Sequence, residues 1–355
     1  MKFTHVCQAL LLCHILLLPA VVETDAAQEK NTGIAQSWRA GDEAFEAGDW
    51  AKALGYYRGC LDLAPSHANL LNNIGACLVK MGRMDEALVS FRAQAEVTQD
   101  TRWWKRLGHL FWLDGKKEEA LEAFQRASEM NPKDGAAAFN VACLHAGLGR
   151  LDAAEEGLQK ILAADPENAR AHDLRGQICE LKGDWAGAIR SYRAACGVVP
   201  VPRSYGKHLV RALAGAGRWE EDLQQAQEVL DADPDHTEVR YYKAIALFKL
   251  DEPQGAADEL VLVTREMPDR AEYWNNLAVS YLALEKWEEA QYALGRARFL
   301  APANAFVYNN LGVLAARTHR WDEARESWQE AARIDPHFEL ATENLKALDE
   351  ISISE

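Results

Sequence analysis

Residues Ala271 to Asn304 read AEYWNNLAVSYLALEKWEEAQYALGRARFLAPAN, and their proline, Pro302, belongs to a series. Pro132, Pro166, Pro200, Pro234, Pro268, Pro302 and Pro336 follow one another at intervals of 34 residues. Pro65 lies 67 residues before Pro132, one short of two periods. A strict period of this size is the mark of a solenoid built from repeated supersecondary units. Such arrays present extended surfaces, so binding rather than catalysis is their default role.

With the recurrent proline set at position 32, units begin at Ile34, Ala68, Thr101, Gly135, Ala169, Arg203, Thr237, Ala271 and Ala305. Position 8 is small in all but the sixth unit, from Gly41 and Gly75 to Ala278 and Gly312. Position 20 is Ala in all but the sixth, and position 24 is mostly large: Tyr57, Phe91, Phe124, Leu158, Tyr192, Leu260, Leu294 and Trp328. This predicts two antiparallel helices per unit, brought close by the small residues, with the large one filling the space beside them. Glycine at position 15 in the first six units (Gly48 to Gly217) suits the left-handed end of a first helix. The proline stops the second helix, because its ring clashes with a preceding carbonyl and it lacks an N–H. Three departures stand out. The second unit has Gln99 in place of proline, and the last three lose glycine at 15 (Asp251, Glu285, His319). The sixth has Val210 at 8 and Asp222 at 20, after Pro200-Val201-Pro202, and reads either as drift in a tolerant repeat or as a weak hinge.

This pattern resembles the tetratricopeptide repeat, a 34-residue helix–turn–helix. The resemblance spans residues 34–338 as nine units. It implies an all-α, right-handed superhelical solenoid, closed by a C-terminal cap helix and tail over 339–355, where Phe338, Ala341, Leu345 and Leu348 keep helical spacing. It also implies that positions 2, 5, 6, 9, 12 and 13 line a concave groove. Position 6 is Asn73, Asn140, Asn276 and Asn310, and position 5 adds Asn72, Asn275 and Asn309. An Asn side chain both donates and accepts, so such a ladder either grips the backbone of an extended peptide or ties neighbouring helices. Two basic groups, Arg102, Lys105, Arg106 and Arg203, Lys207, Arg211, map to the same side and suit acidic segments or a carboxylate. Trp38 and Phe45, at positions 5 and 12 of the first unit, are further contact candidates. Trp50, Trp185, Trp219, Trp287 and Trp321 all fall at position 17, a regularity that points to packing within the stack. The carboxylate clamp of chaperone-binding relatives has no match here, which argues against docking of heat-shock chaperone tails.

The first 26 residues have the layout of a secretory signal peptide: Met1-Lys2, an apolar run from Val6 to Leu18, and Thr24-x-Ala26 as a cleavage site. Residues 27–33 form a short linker. The apolar run is short for a membrane span, so membrane contact is expected only through an uncleaved N-terminal anchor or an envelope complex. The chain is thus read as exported, periplasmic or secreted. Its net charge of −15 argues against nucleic acid as a partner. Cys60, Cys77, Cys143, Cys179 and Cys196 form no CxxC pair and read as small buried hydrophobes, with Cys60/Cys77 and Cys179/Cys196 the alternatives for oxidation.

HExxH, GxSxG and Walker-type loops are absent from the sequence. Cys143 and His145, two apart on a helix, point to different faces and share no metal. No catalytic residue, metal or cofactor is expected. The sequence therefore reads as a non-catalytic protein–protein interaction scaffold of the cell envelope that binds a protein or extended peptide in its groove. The alternatives are a periplasmic holding or assembly chaperone for exported proteins and, in another class, an enzyme or glycan-binding module on a repeat frame.

Overall fold

A computed structural model of the chain describes residues 32–198 and 205–354. The leader, most of the linker, Pro200-Val201-Pro202 and Arg203 lie outside the described residues. Those residues form 19 helices and no strand.

The helices fall into two compact bodies, Met1–Pro166 and Glu167–Glu355. The first holds four hairpins: α1 (Thr32–Glu46) with α2 (Trp50–Leu63), α3 (Ala68–Lys80) with α4 (Met84–Thr98), α5 (Thr101–Leu113) with α6 (Lys117–Met130), and α7 (Gly135–Gly147) with α8 (Leu151–Ala164). The second holds five: α9 (Ala169–Leu181) with α10 (Trp185–Val198), α11 (Gly206–Gly215) with α12 (Trp219–Ala232), α13 (Thr237–Lys249) with α14 (Pro253–Glu266), α15 (Ala271–Ala283) with α16 (Trp287–Leu300), and α17 (Ala305–Arg317) with α18 (Trp321–Ile334). A last helix, α19 (Glu339–Ser354), follows. Within each body every helix packs on the next in sequence, as a solenoid requires.

The turns follow from the repeat chemistry. Position 34 supplies N-caps for first helices: Asp134, Asn168 and Asn304 accept hydrogen bonds from the opening backbone N–H groups of α7, α9 and α17. In the second unit Gln99 itself takes a left-handed conformation, φ 50°, and Asp100 caps α5. That sharper reversal replaces the missing proline and accounts for the shorter unit. Position 15 is left-handed in every hairpin of the described residues, whether or not it is glycine. Gly183 has φ 76°, while Asp251, Glu285 and His319 are held at 63°, 58° and 58°. A side chain in this region costs roughly 1–2 kcal/mol. Glu285→Gly should therefore stabilise the protein by about 1 kcal/mol and Gly183→Ala should destabilise it by a similar amount. Urea denaturation checks both signs, and equal midpoints would remove the strain from these turns.

The core is set by a volume exchange between positions 8 and 24. A Cβ on Gly41, Gly75 or Gly108 would lie 2.5–2.8 Å from the ring of Tyr57, Phe91 or Phe124. On Gly176 or Gly312 it would collide still more closely with Tyr192 or Trp328. Where position 8 is alanine (Ala142, Ala244, Ala278), position 24 is leucine (Leu158, Leu260, Leu294), and all six are buried. In the sixth hairpin the exchange runs the other way: Val210 at 8 faces a cluster with Ala226 at 24. The sequence allows a weak hinge here because of Val210 at 8 and Asp222 at 20; the large residue at 8 is offset by the small one at 24. Asp222 is the departure left without compensation.

Two further expectations are refined. Trp185 does pack between hairpins, its indole covering Gly215 of the next one, yet it and Trp321 remain partly exposed. None of the five cysteines among the described residues is in a disulfide. Cys60, Cys77 and Cys179 are buried, and burial pushes the Cys77 thiol up to about 12 and Cys196 up to about 11, which leaves them unreactive near neutrality. The cap helix α19 is itself in register: Phe338, Ala341 and Leu348 join the core of the ninth hairpin, and Asn344 falls 35 residues after Asn309. It occupies the place of the first helix of a tenth, incomplete unit.

Candidate functional site

Positions 5, 6, 9 and 12 place their residues on one side of each first helix, and first helices of successive hairpins lie side by side. In the first body this face carries most of the basic group. Arg102 is highly exposed and turns back onto its own cap, Asp100, at 2.7 Å. Lys105 reaches the cap of the next first helix, with Nζ 2.6 Å from Asp134 Oδ2. That bond, more than any other contact, holds the Asp134 carboxyl below the usual carboxylate range.

Arg106 differs from both. Its guanidinium lies 4.7 Å over the Trp103 ring, half-buried, with no carboxylate beside it among the described residues. Burial lowers its pKa from the ordinary arginine value, yet a guanidinium remains charged at any physiological pH. At the same register position, 6, the flanking hairpins present Asn73 and Asn140. Asn73 accepts from the Asn72 amide at 3.4 Å. Asn140 makes no side-chain hydrogen bond among the described residues and is half-exposed. Three consecutive first helices thus line up amide, guanidinium and amide. Burial, and after it Lys105, lowers the pKa of His109, at position 9 of the same helix, and its ring meets Phe124 edge-on at 4.8 Å.

In the second body the same face is cross-linked. Asp173 Oδ1 meets His208 Nδ1 at 2.6 Å, and its Oδ2 takes a bond from Gln177 Nε2 at 2.7 Å. Arg211 holds Glu180 through two bonds, at 2.7 and 3.3 Å. Lys207, the other described member of the second basic group, makes no ion pair among the described residues. Further on, Tyr241 donates to Glu272 at 2.6 Å and accepts from Asn276 at 2.8 Å. Asn310 donates to Asn275 at 2.9 Å, Asn309 to Asn310 at 3.3 Å, and Asn344 to Asn309 at 2.9 Å. These amides tie successive first helices together, and the same bonds fix them in one orientation with capacity left over, since each can make about four bonds.

The structure therefore separates the expected residues. In the first body Asn72 and Asn73 bond to each other, and Arg106 and Asn140 share register position 6 with Asn73, while Asn275, Asn309 and Asn310 are linked in the second and Asn276 bonds to Tyr241. Trp38 and Phe45 pack against the core of the first two hairpins, and Trp38 also meets the His67 ring at 4.9 Å, so both serve packing as much as contact. Asp173, Glu180, His208, Tyr241 and Asn344 escape a search for one residue type. Asp173, His208, Tyr241 and Asn344 occupy positions 5 and 6, as the asparagines do, and Glu180 lies on the same side at position 12, so register was the signal that would have found them.

The opposite face offers a cleft of about 490 Å³ over α15, between α14 and α16, with Trp274, Leu277, Tyr281 and Tyr292 among its lining. Its aromatic faces are already covered from within: Arg296 lies over Trp274 at 5.6 Å and Lys286 over Tyr281 at 6.0 Å. Among the described residues no three His, Cys, Asp or Glu side chains converge on a metal-sized site, and no helix is long and apolar enough to cross a membrane.

A sequence profile for the tetratricopeptide repeat matches residues 44–109, 111–178 and 208–279, and a second profile for the same repeat matches 305–338. BBSome complex member BBS4 of Bos taurus is 23% identical over 261 residues, covering 73% of this chain and 50% of that protein. Human DnaJ homolog subfamily C member 7 is 25% identical over 232 residues, covering 64% of this chain and 42% of that protein. The chain spans half or less of the length of these relatives. Among solved structures, a tetratricopeptide repeat protein from Parabacteroides merdae superposes with a TM-score of 0.53 at 16% identity, over 70% of this chain and 99% of that one, a likeness of fold.

Proposed function

This chain belongs to the tetratricopeptide repeat family, and on that premise we propose that it is a non-catalytic scaffold of an exported assembly that grips an extended, acidic peptide segment of a partner on its first-helix face. The observation that carries this reading is Arg106, a half-buried guanidinium without a carboxylate, between Asn73 and Asn140 at the same register position. Leaving a cation desolvated and unpaired is costly, and an incoming carboxylate relieves that cost. The partly exposed Asn140 amide can bond the peptide backbone without reading side chains, as extended-chain recognition requires, and the buried Asn73 amide shapes the other side. The amide row in the second body is held in one orientation before any partner arrives, which lowers the ordering cost of binding. The leader-like composition of residues 1–26 supports the exported setting, and the name of the BBSome complex member is in keeping with a role inside an assembly.

Binding of an acidic and a charge-neutral extended peptide, read by fluorescence anisotropy, tests the reading. A hydrogen bond to a charged group contributes about 1.5–3 kcal/mol. Arg106→Gln should therefore weaken the acidic peptide roughly 10- to 100-fold, spare the neutral one, and flatten the salt dependence. Joint replacement of Asn73 and Asn140 by Ala should weaken both peptides and leave the salt response unchanged. If folded variants bind both peptides as the parent does, the partner uses another face.

A further inference from the structure

We propose that the sixth hairpin is a pH-gated weak point of the array, closed with the Asp222 carboxyl protonated and opening more readily as rising pH favours the opened, ionised form. Asp222 sits at position 20 of α12, where the other eight hairpins have alanine packed between their two helices. Its side chain is fully buried, and neither carboxylate oxygen has a hydrogen-bond partner. The buried cluster of the same hairpin is aliphatic: Val210 from α11, Ala226, Val229 and Leu230 from α12, and Val239 from α13.

The charged groups on the helices around it are committed elsewhere. On α11, His208 pairs with Asp173 and Arg211 with Glu180, while Lys207 makes no ion pair among the described residues. On α13, Arg240 and Lys243 share Glu259, Glu238 is exposed, and Tyr241 is bonded to Glu272 while Tyr242 packs on the aliphatic cluster. From α10, Arg193 joins Arg218 of α12 on Glu221, and the neutral Cys196 thiol lies near Glu228. Glu220 and Asp231 of α12 are exposed. Among the described residues no cation lies within ion-pair distance of Asp222.

A carboxylate buried in such a place, with no counter-charge within ion-pair distance among the described residues, is disfavoured, so the protonated form is the one the fold accommodates. Burial alone raises the pKa of the group to about 7. The sign of the linkage is fixed by this. In the unfolded hairpin the carboxyl ionises near pH 4, while in the folded one it keeps its proton until about 7. Stability is whole below the unfolded value, falls as pH rises through that window, and is level above it. Within the window the opening constant gains about tenfold per pH unit. Opening would also part α11 from α9 and α13, and with them the Asp173–His208 and Glu180–Arg211 cross-links of the first-helix face.

Hydrogen exchange of α11 and α12, corrected for the intrinsic pH dependence of exchange, tests this between pH 5 and pH 8 in the full chain. Expected is a steep loss of protection up to about pH 7 that levels off above it, and a pH-independent, stronger protection in Asp222→Ala, which restores the residue of the other hairpins. Asp222→Asn, polar but without a charge to gain, should be weakened yet equally flat. The same pH dependence in Asp222→Ala as in the parent would overturn the proposal, as would a parent hairpin whose protection does not change.

Discussion

Replacing Gly176 with alanine should destabilise the protein by about 1–3 kcal/mol, the usual cost of forcing extra volume into a filled interior. The expected sign runs against helix propensity, which favours alanine over glycine by roughly 1 kcal/mol. Packing wins because the new methyl group would collide with the ring of Tyr192, which has 0% exposure and nowhere to retreat. Tyr192→Leu alone should also destabilise, by on the order of 2 kcal/mol, because the smaller side chain leaves a void over Gly176. Together the two changes recreate the alanine–leucine pairing of Ala142 with Leu158 and of Ala278 with Leu294, and most of the loss should be recovered. Urea denaturation of the four proteins gives the coupling directly, expected at 1 kcal/mol or more. Additive losses would show that positions 8 and 24 do not face each other, and the repeat register would have to move.

This exchange also explains how much was legible in the sequence. The period, the turns and the two helices per unit could be read because each rests on one residue's own chemistry: a proline without an N–H, a glycine in a left-handed turn, an Asp or Asn cap. Volume compensation is a property of two positions at once. Val210 looks like a defect in its own column and is not one beside Ala226. The first-helix face follows the same logic. Its register was legible, and with it the asparagines. Which amides face outward and which bond to the neighbouring hairpin depends on the offset between successive first helices. Asn276 ends up on Tyr241 and Asn310 on Asn275, partners that lie 35 residues earlier. Likewise three members of one basic group share a helix turn, and only the positions of Asp100 and Asp134 decide that two are paired and Arg106 is not.

Trp328→Ala should have the largest effect of any single change considered, a loss of about 3–5 kcal/mol, the range for removing a buried large aromatic. Trp328 is 5% exposed, fills the space over Gly312, and packs in the cluster that docks α19 through Phe338, Ala341 and Leu348. Its indole N–H also donates to the backbone carbonyl of Asn309 at 3.1 Å, a buried bond whose acceptor would be left without that partner. The loss should be local. In a one-dimensional array each hairpin is stabilised by itself and its neighbours, so α17–α19 should lose hydrogen-exchange protection while α9 and α10 keep theirs. The damage reaches the candidate site by a traceable route. Asn309 accepts from Asn344 and donates to Asn310, which holds Asn275, so freeing its backbone slackens the whole amide row. Trp328→Phe separates the two contributions: it keeps most of the ring and loses the hydrogen bond, and should cost about 1 kcal/mol beyond the packing it gives up. Uniform loss of protection in every hairpin would instead mean that the array unfolds as one cooperative block. An unchanged midpoint would mean that α19 does not rely on Trp328 to dock.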